Sequence, residues 1–164
     1  MSARSTYSAP QRILHWLMAI LIFFNLLFPD GMNAWRRLVR HGQVPTPADV
    51  ASANVHAYAG IAILLLAIVR LCLRLVSDVP ALPDNQPAFL HYIANITHFL
   101  LYALIFAMPL SGMAAYYFGI DTAAFVHGGP IKTLLWIAVV LHIFGAFAQH
   151  FYFKSDVLRR MTIG

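Results

Sequence analysis

The chain has 164 residues, 60% of them hydrophobic and 10% charged, with a formal charge of +5 and no glutamate. Soluble domains carry roughly 45–50% apolar and about 25% charged residues, so this composition excludes a water-soluble globule and points to an integral membrane protein. The lone cysteine, Cys72, excludes an intramolecular disulfide, a cysteine-based zinc cluster and cofactor attachment through paired cysteines. Basic residues gather at the ends of apolar runs, a pattern of anchoring to lipid headgroups rather than of nucleic-acid binding.

In chain order, Met1–Pro10 is polar, and the apolar run that follows has no small-residue cleavage site, so it is expected to remain as a helix. Four stretches approach the length of about 20 residues that a helix needs to cross a bilayer. The first is Gln11–Phe28, ended by the turn signal Pro29-Asp30-Gly31. A connection from Pro29 to Ala53 follows, with a basic interfacial helix expected over Ala34–Arg40 around Trp35. The second span is Asn54–Val76. The connection Ser77–Pro87 carries Pro80, Pro83 and Pro87 and reads as extended. Pro109 and Gly112 fall within the third span, Phe89–Phe118, and predict a kink. The fourth apolar segment, Lys132–Arg160, is preceded by Pro130, which suits a first helical turn. Backbone groups in lipid must bond within their own segment, so the spans are helices. The predicted fold is an all-α, four-helix transmembrane bundle forming a single domain over residues 1–164. Arg4, Arg12, Arg70, Arg74, Lys154, Arg159 and Arg160 lie at one end of it, against Arg36, Arg37, Arg40 and Lys132 at the other. That asymmetry places both termini in the cytoplasm.

Eight histidines are many for so apolar a chain. His15, His56, His98, His142 and His150 lie in the spans, His127 just before the fourth, and His41 and His91 near boundaries. His142 stands among Val139, Val140, Leu141, Ile143 and Phe144, where no neighbour in sequence can solvate it. An ionisable ring at that depth is a functional hypothesis by default. Each histidine taken singly could instead bond a neighbouring carbonyl. Proton transport usually uses intramembrane carboxylates, and the six aspartates lie outside the membrane core. Axial ligation of haem needs only neutral imidazoles, apolar walls and small residues beside them. Gly60 follows His56 by four residues, and Gly145 and Ala146 follow His142 by three and four, on the same helix faces. His142 and His150 are separated by about 80° and about 12 Å along a helix, so they cannot share one metal. His127 and His142 are about 22 Å apart if helical throughout, a spacing suited to two haems stacked across the membrane.

Four segments in order, YSAPQRILHW (Tyr7–Trp16), HAYAGIAILLLAIVRLCLR (His56–Arg74), HFLLYALIFAMPLSG (His98–Gly112) and HIFGAFAQHFYFKSDVLRRM (His142–Met161), resemble the bacterial cytochrome b561 family. These are four-helix di-haem proteins of the cytoplasmic (inner) membrane. The resemblance implies haem b as cofactor, with His15 and His142 ligating the cytoplasmic-side iron and His56 the periplasmic-side iron. The family's partner for His56 stands fourteen residues before the His142 position. Here Gly128 occupies that place, and the nearest histidine is His127, ahead of Gly128-Gly129-Pro130. One extra residue turns an ideal helix by about 100°, so either one haem or two is expected. Depth along the helices alone would instead pair His15 with His150 and His56 with His142. His98, Gln149 and His150 are the implied lining of a site for ubiquinone or another quinone, and Arg70 and Arg74 could meet haem propionates, quinone or headgroups. The implied activity is single-electron transfer across the bilayer and exchange with quinone. One branch of the family resembles a superoxide oxidase and another an electron-transfer subunit for a redox partner. The rival reading is a non-redox helical membrane protein of assembly or transport, which would be colourless.

Overall fold

The computed structural model describes residues 6–77, 80 and 87–163. Arg4, part of the charge count, and Pro83, part of the proline-rich connection, lie outside the described residues.

Helix α1 spans Ala9–Leu27. It starts on a reciprocal cap in which the Ser8 backbone N–H donates to Gln11 Oε1 at 3.0 Å. Gln11 is itself buried, and its carbonyl accepts from Arg70 Nη1 at 3.0 Å. Helix α2 spans Asp30–Arg40. The expected turn is therefore only the Phe28-Pro29 junction, because Asp30 and Gly31 already belong to a helix. Asp30 in the first turn and Arg37 and Arg40 in the last both oppose the helix dipole and favour starting there. Gly31 is required at this point: a Cβ on it would stand 2.8 Å from the Ser52 carbonyl oxygen of the next helix.

Helix α3, Pro47–Val76, begins earlier than the expected Asn54. Its N-terminus is fixed by Thr46, whose Oγ1 accepts from the Asp49 N–H at 3.3 Å while Asp49 Oδ2 accepts from the Thr46 N–H at 2.9 Å. Pro47 fills the first turn, where no N–H is needed. Helix α4, Ala88–Phe118, carries Pro109 buried in its interior and ends at Gly119, which takes a left-handed conformation with φ of 65°.

The last span differs most from the sequence expectation. The described chain is helical from Asp121 to Tyr152, as α5 (Asp121–Val126), a π-helical turn (His127–Ile131), α6 (Lys132–Phe147) and a second π-helical turn (Ala148–Tyr152). His127 and Pro130 therefore lie within a helix, not ahead of its first turn. A proline inside an α-helix clashes with the carbonyl four residues back. The wider π-turn takes up that ring together with one extra residue. A short α7, Val157–Thr162, closes the described chain. Trp16 Nε1 and Arg12 Nη1 of α1 donate to the Met161 and Thr162 carbonyls of α7 at 3.0 and 3.3 Å, so α7 folds back over the beginning of α1.

Four helical stretches, Ala9–Leu27, Pro47–Val76, Ala88–Phe118 and Asp121–Tyr152, are long and apolar enough to cross a membrane, and the described residues contain no strand. Between them lies an apolar layer of Ile22, Leu26, Ile63, Leu104, Leu135 and Ala138. Large apolar side chains such as Phe99, Leu65 and Phe144 remain exposed on the outside of the bundle, as lipid contact requires.

Candidate functional site

The apolar layer divides the intramembrane histidines into two groups. On α1, α4 and α6, His15, His98 and His142 stand on one side of Ile22, Leu104 and Leu135. On α3 and the π-turn, His56 and His127 stand on the other side of Ile63 and Leu135. Because the spans alternate in direction, residues far apart in sequence meet at two levels.

At the first level the rings of His15 and His142 lie 6.0 Å apart, centre to centre, at 64° between planes. His98 lies 5.4 Å from His142. Arg70, held on the Gln11 carbonyl, adds a positive charge close to all three rings. Arg74 stands over the Tyr102 ring at 5.8 Å and adds a second positive charge near His98. The fold thus brings His98 to His142. Gln149 and His150 occupy the second π-turn, farther along the same helix. Gln149 accepts from Ser155 Oγ through both its backbone oxygen and Oε1, at 3.1 and 2.9 Å. The ring contact of His150 is with Phe151, at 4.8 Å.

At the second level the rings of His56 and His127 lie 6.3 Å apart at 84°. They share a cavity of about 740 Å³, lined also by Asn25, Gly60, Gly112, Tyr116, Arg36 and Lys132. Depth arithmetic would have paired His15 with His150 and His56 with His142. The rings that face one another are instead His15 with His142 and His56 with His127. His127 Nδ1 sits 2.9 Å from the Met108 carbonyl oxygen. A carbonyl can only accept, so Nδ1 carries the proton and Nε2 keeps the lone pair that could bind a metal. The ring enters a notch at Gly112, where a Cβ would stand 2.9 Å from His127 Cε1. On the opposing wall, Asn25 Nδ2 donates to the His56 carbonyl at 3.1 Å. Tyr116 donates to Asn54 Oδ1 at 2.9 Å and packs against Trp35 with ring centres 4.6 Å apart.

Both levels fit a haem. Two imidazoles bound to opposite faces of one metal, with bonds of about 2 Å each, bring their ring centres to about 6 Å, and the spacings are 6.0 and 6.3 Å. In the wall of this cavity His56 Nδ1 and Asn25 Oδ1 are buried without a hydrogen-bond partner, polar groups that call for a functional explanation. The sequence marks the histidines but not Met108, Ser111 or Asn25. Gly112 is legible there only as half of a kink signal with Pro109, since its service to His127 depends on a contact between two helices.

An all-helical membrane bundle with imidazoles paired across its interior defines a membrane cytochrome of the b type. Residues 6–164 match the family model for prokaryotic cytochrome b561, and the chain belongs to that family of membrane electron-transfer proteins. It is 31% identical to cytochrome b562 of Cereibacter sphaeroides over 98% of each chain, and 25% identical to the probable superoxide oxidase CybB of Yersinia pestis over 94% of each. The family implies b-type haem.

Proposed function

We propose that His15 with His142, and His56 with His127, ligate two b-type haems and that the protein carries single electrons between the membrane faces. The observation that carries this reading is the pair of facing imidazole couples, 6.0 and 6.3 Å apart, on either side of one apolar layer. Haem held by two imidazoles supplies reversible one-electron chemistry with no open coordination position. The chain itself fixes ring orientation, excludes water through Ile22, Leu26, Ile63, Leu104 and Leu135, and provides fixed positive charge at each level through Arg70 and Lys132. His15 is preferred over His98 as the partner of His142 because its spacing is closer to that of a ligated pair, in agreement with the family resemblance.

In this reading both termini and the His15 level face the cytoplasm, and the His56 level faces outward across the inner membrane. His98, Gln149 and His150 line or border the quinone site at the inner end, where an imidazole or amide N–H can donate to a quinone carbonyl. The likeness to a probable superoxide oxidase and the cationic lining of the outer cavity by Arg36, Arg40 and Lys132 favour superoxide as donor. Each superoxide gives up one electron and leaves as dioxygen. Two electrons, with two protons from the inner side, convert a quinone to quinol. Protein in ubiquinone-containing vesicles should consume superoxide added outside and form quinol, two superoxides per quinol. Superoxide decay no faster than in empty vesicles would sink the oxidase reading. A redox partner protein would then be the donor to test, with haem reduction by that partner as the readout.

A further inference from the structure

We propose that Gly112, the Met108 carbonyl and the π-turn at Pro130 form one cradle that orients His127, so that Gly112 and Pro130 are positioning residues for the outer haem. The proposal rests on the reading of His127 as a ligand.

Three observations converge on this ring. The first is space. A Cβ on Gly112 would stand 2.9 Å from His127 Cε1 and 3.2 Å from Nδ1, whereas one on Gly60 would meet nothing nearer than 3.8 Å and one on Gly145 nothing within 4 Å. The atoms that would have to give way at Gly112 belong to the imidazole itself. The second is polarity. The hydrogen bond to the Met108 carbonyl at 2.9 Å fixes the tautomer, and the Ser111 hydroxyl lies 3.3 Å from the same nitrogen. That hydroxyl also reaches the Ala107 and Met108 carbonyls, at 2.7 and 3.0 Å, and so braces the turn of α4 on which the ring rests. The third is register. His127 opens the π-turn His127–Ile131, and Pro130 sits inside it. A π-turn holds one residue more than an α-turn without rotating the helix on either side. This is how a residue fifteen places before His142, not fourteen, still faces His56.

A filled notch and a changed register act on the ring without touching the ligand's identity. Gly112→Ala favours the helix by propensity, so an effect on helix formation alone would leave the protein as stable or more so. An effect through His127 would weaken or reshape one haem site only. The EPR spectrum of a low-spin ferric haem with two imidazoles responds to the angle between their planes, and the signal lost in His127→Ala identifies the outer site.

The test measures haems per chain and low-temperature EPR on purified full-length protein. It compares wild type, His127→Ala, Gly112→Ala, an alanine inserted between Gly129 and Pro130, and deletion of Pro130. His127→Ala is expected to fall from two haems to one, leaving the inner signal. Gly112→Ala and the insertion should lose or displace the outer signal and keep the inner one. Deletion of Pro130 removes the helix breaker and the extra residue together, and should retain both haems. If His127→Ala falls to one haem while Gly112→Ala and the insertion keep the wild-type outer signal, ligation stands and the cradle is overturned. The cradle also fails if the deletion loses the outer haem and the insertion keeps it. Two unchanged signals in His127→Ala would overturn the ligand reading itself. Should Gly112→Ala lose both signals through misfolding, the insertion and the deletion decide between these outcomes.

Discussion

The two levels of the bundle solve the same problem by different means. At the His56–His127 level, the outer one in the proposed orientation, two imidazoles face each other across a cavity, and one is held by a backbone carbonyl, a glycine notch and an irregular helical turn. At the other level, the inner one in the proposed orientation, His15 and His98 crowd around His142, with Arg70 beside them and α7 folded back over the start of α1. The His56 level holds no third imidazole among the described residues, so the orientation of His127 matters most there. The His142 level holds a third imidazole, His98, and its question is which partner His142 takes. Geometry that must be exact is built from backbone, while redundancy is built from side chains.

The largest expected effect separates the levels outright. His142→Ala should remove the inner haem and leave the outer one, seen as one haem per chain with the outer EPR signal intact. His15→Ala should do the same, whereas His98→Ala should keep two haems. Loss of the inner haem in His98→Ala but not in His15→Ala would transfer the ligand role to His98. Next, Leu135 sits 3% exposed in the layer between the levels. Leu135→Ala should cost about 2–5 kcal/mol and lower the unfolding midpoint at both haem sites together. A smaller change should act on the outer level alone. Thr46→Ala removes the cap of α3, ten residues before His56, and should cost about 1 kcal/mol, read as faster loss of the outer than of the inner haem on heating.

The smallest effect is confined to the end of the bundle where α7 packs. The 2.8 Å ion pair with Arg160 Nε holds the Asp156 carboxyl below the usual carboxylate range. A depressed carboxylate stabilises the fold above its ordinary pKa and loses that contribution as pH falls through the folded value. Proteolytic nicking near α7 should therefore rise only in acid, below the usual carboxylate range, and Asp156→Asn should show the raised rate at neutral pH.

Much of this was legible in the residues. The four spans follow from apolar length, because burial in lipid tolerates few alternatives, and the helix around Trp35 and its arginines was expected over Ala34–Arg40 but starts at Asp30. Helix starts were less legible. Thr46-Pro47 begins a helix before its apolar run does, since a cap acts locally and needs no hydrophobic signal, and Asp121, in the first turn of its helix, favours a start there through the helix dipole. The pairing of imidazoles was not readable from depth, which presumes straight helices of equal immersion and so joined His56 to His142. The π-turn was least visible. Gly128-Gly129-Pro130 reads as a helix boundary, and only packing against Gly112 shows that the helix continues through it.

The most direct test of two ligand pairs on either side of an apolar layer is the haem-to-chain ratio of purified wild type beside His56→Ala, measured by the pyridine haemochrome method on protein from haem-replete cells. The account predicts two haems per wild-type chain and one in His56→Ala. A wild-type ratio of one, or a ratio unchanged by His56→Ala, would contradict it.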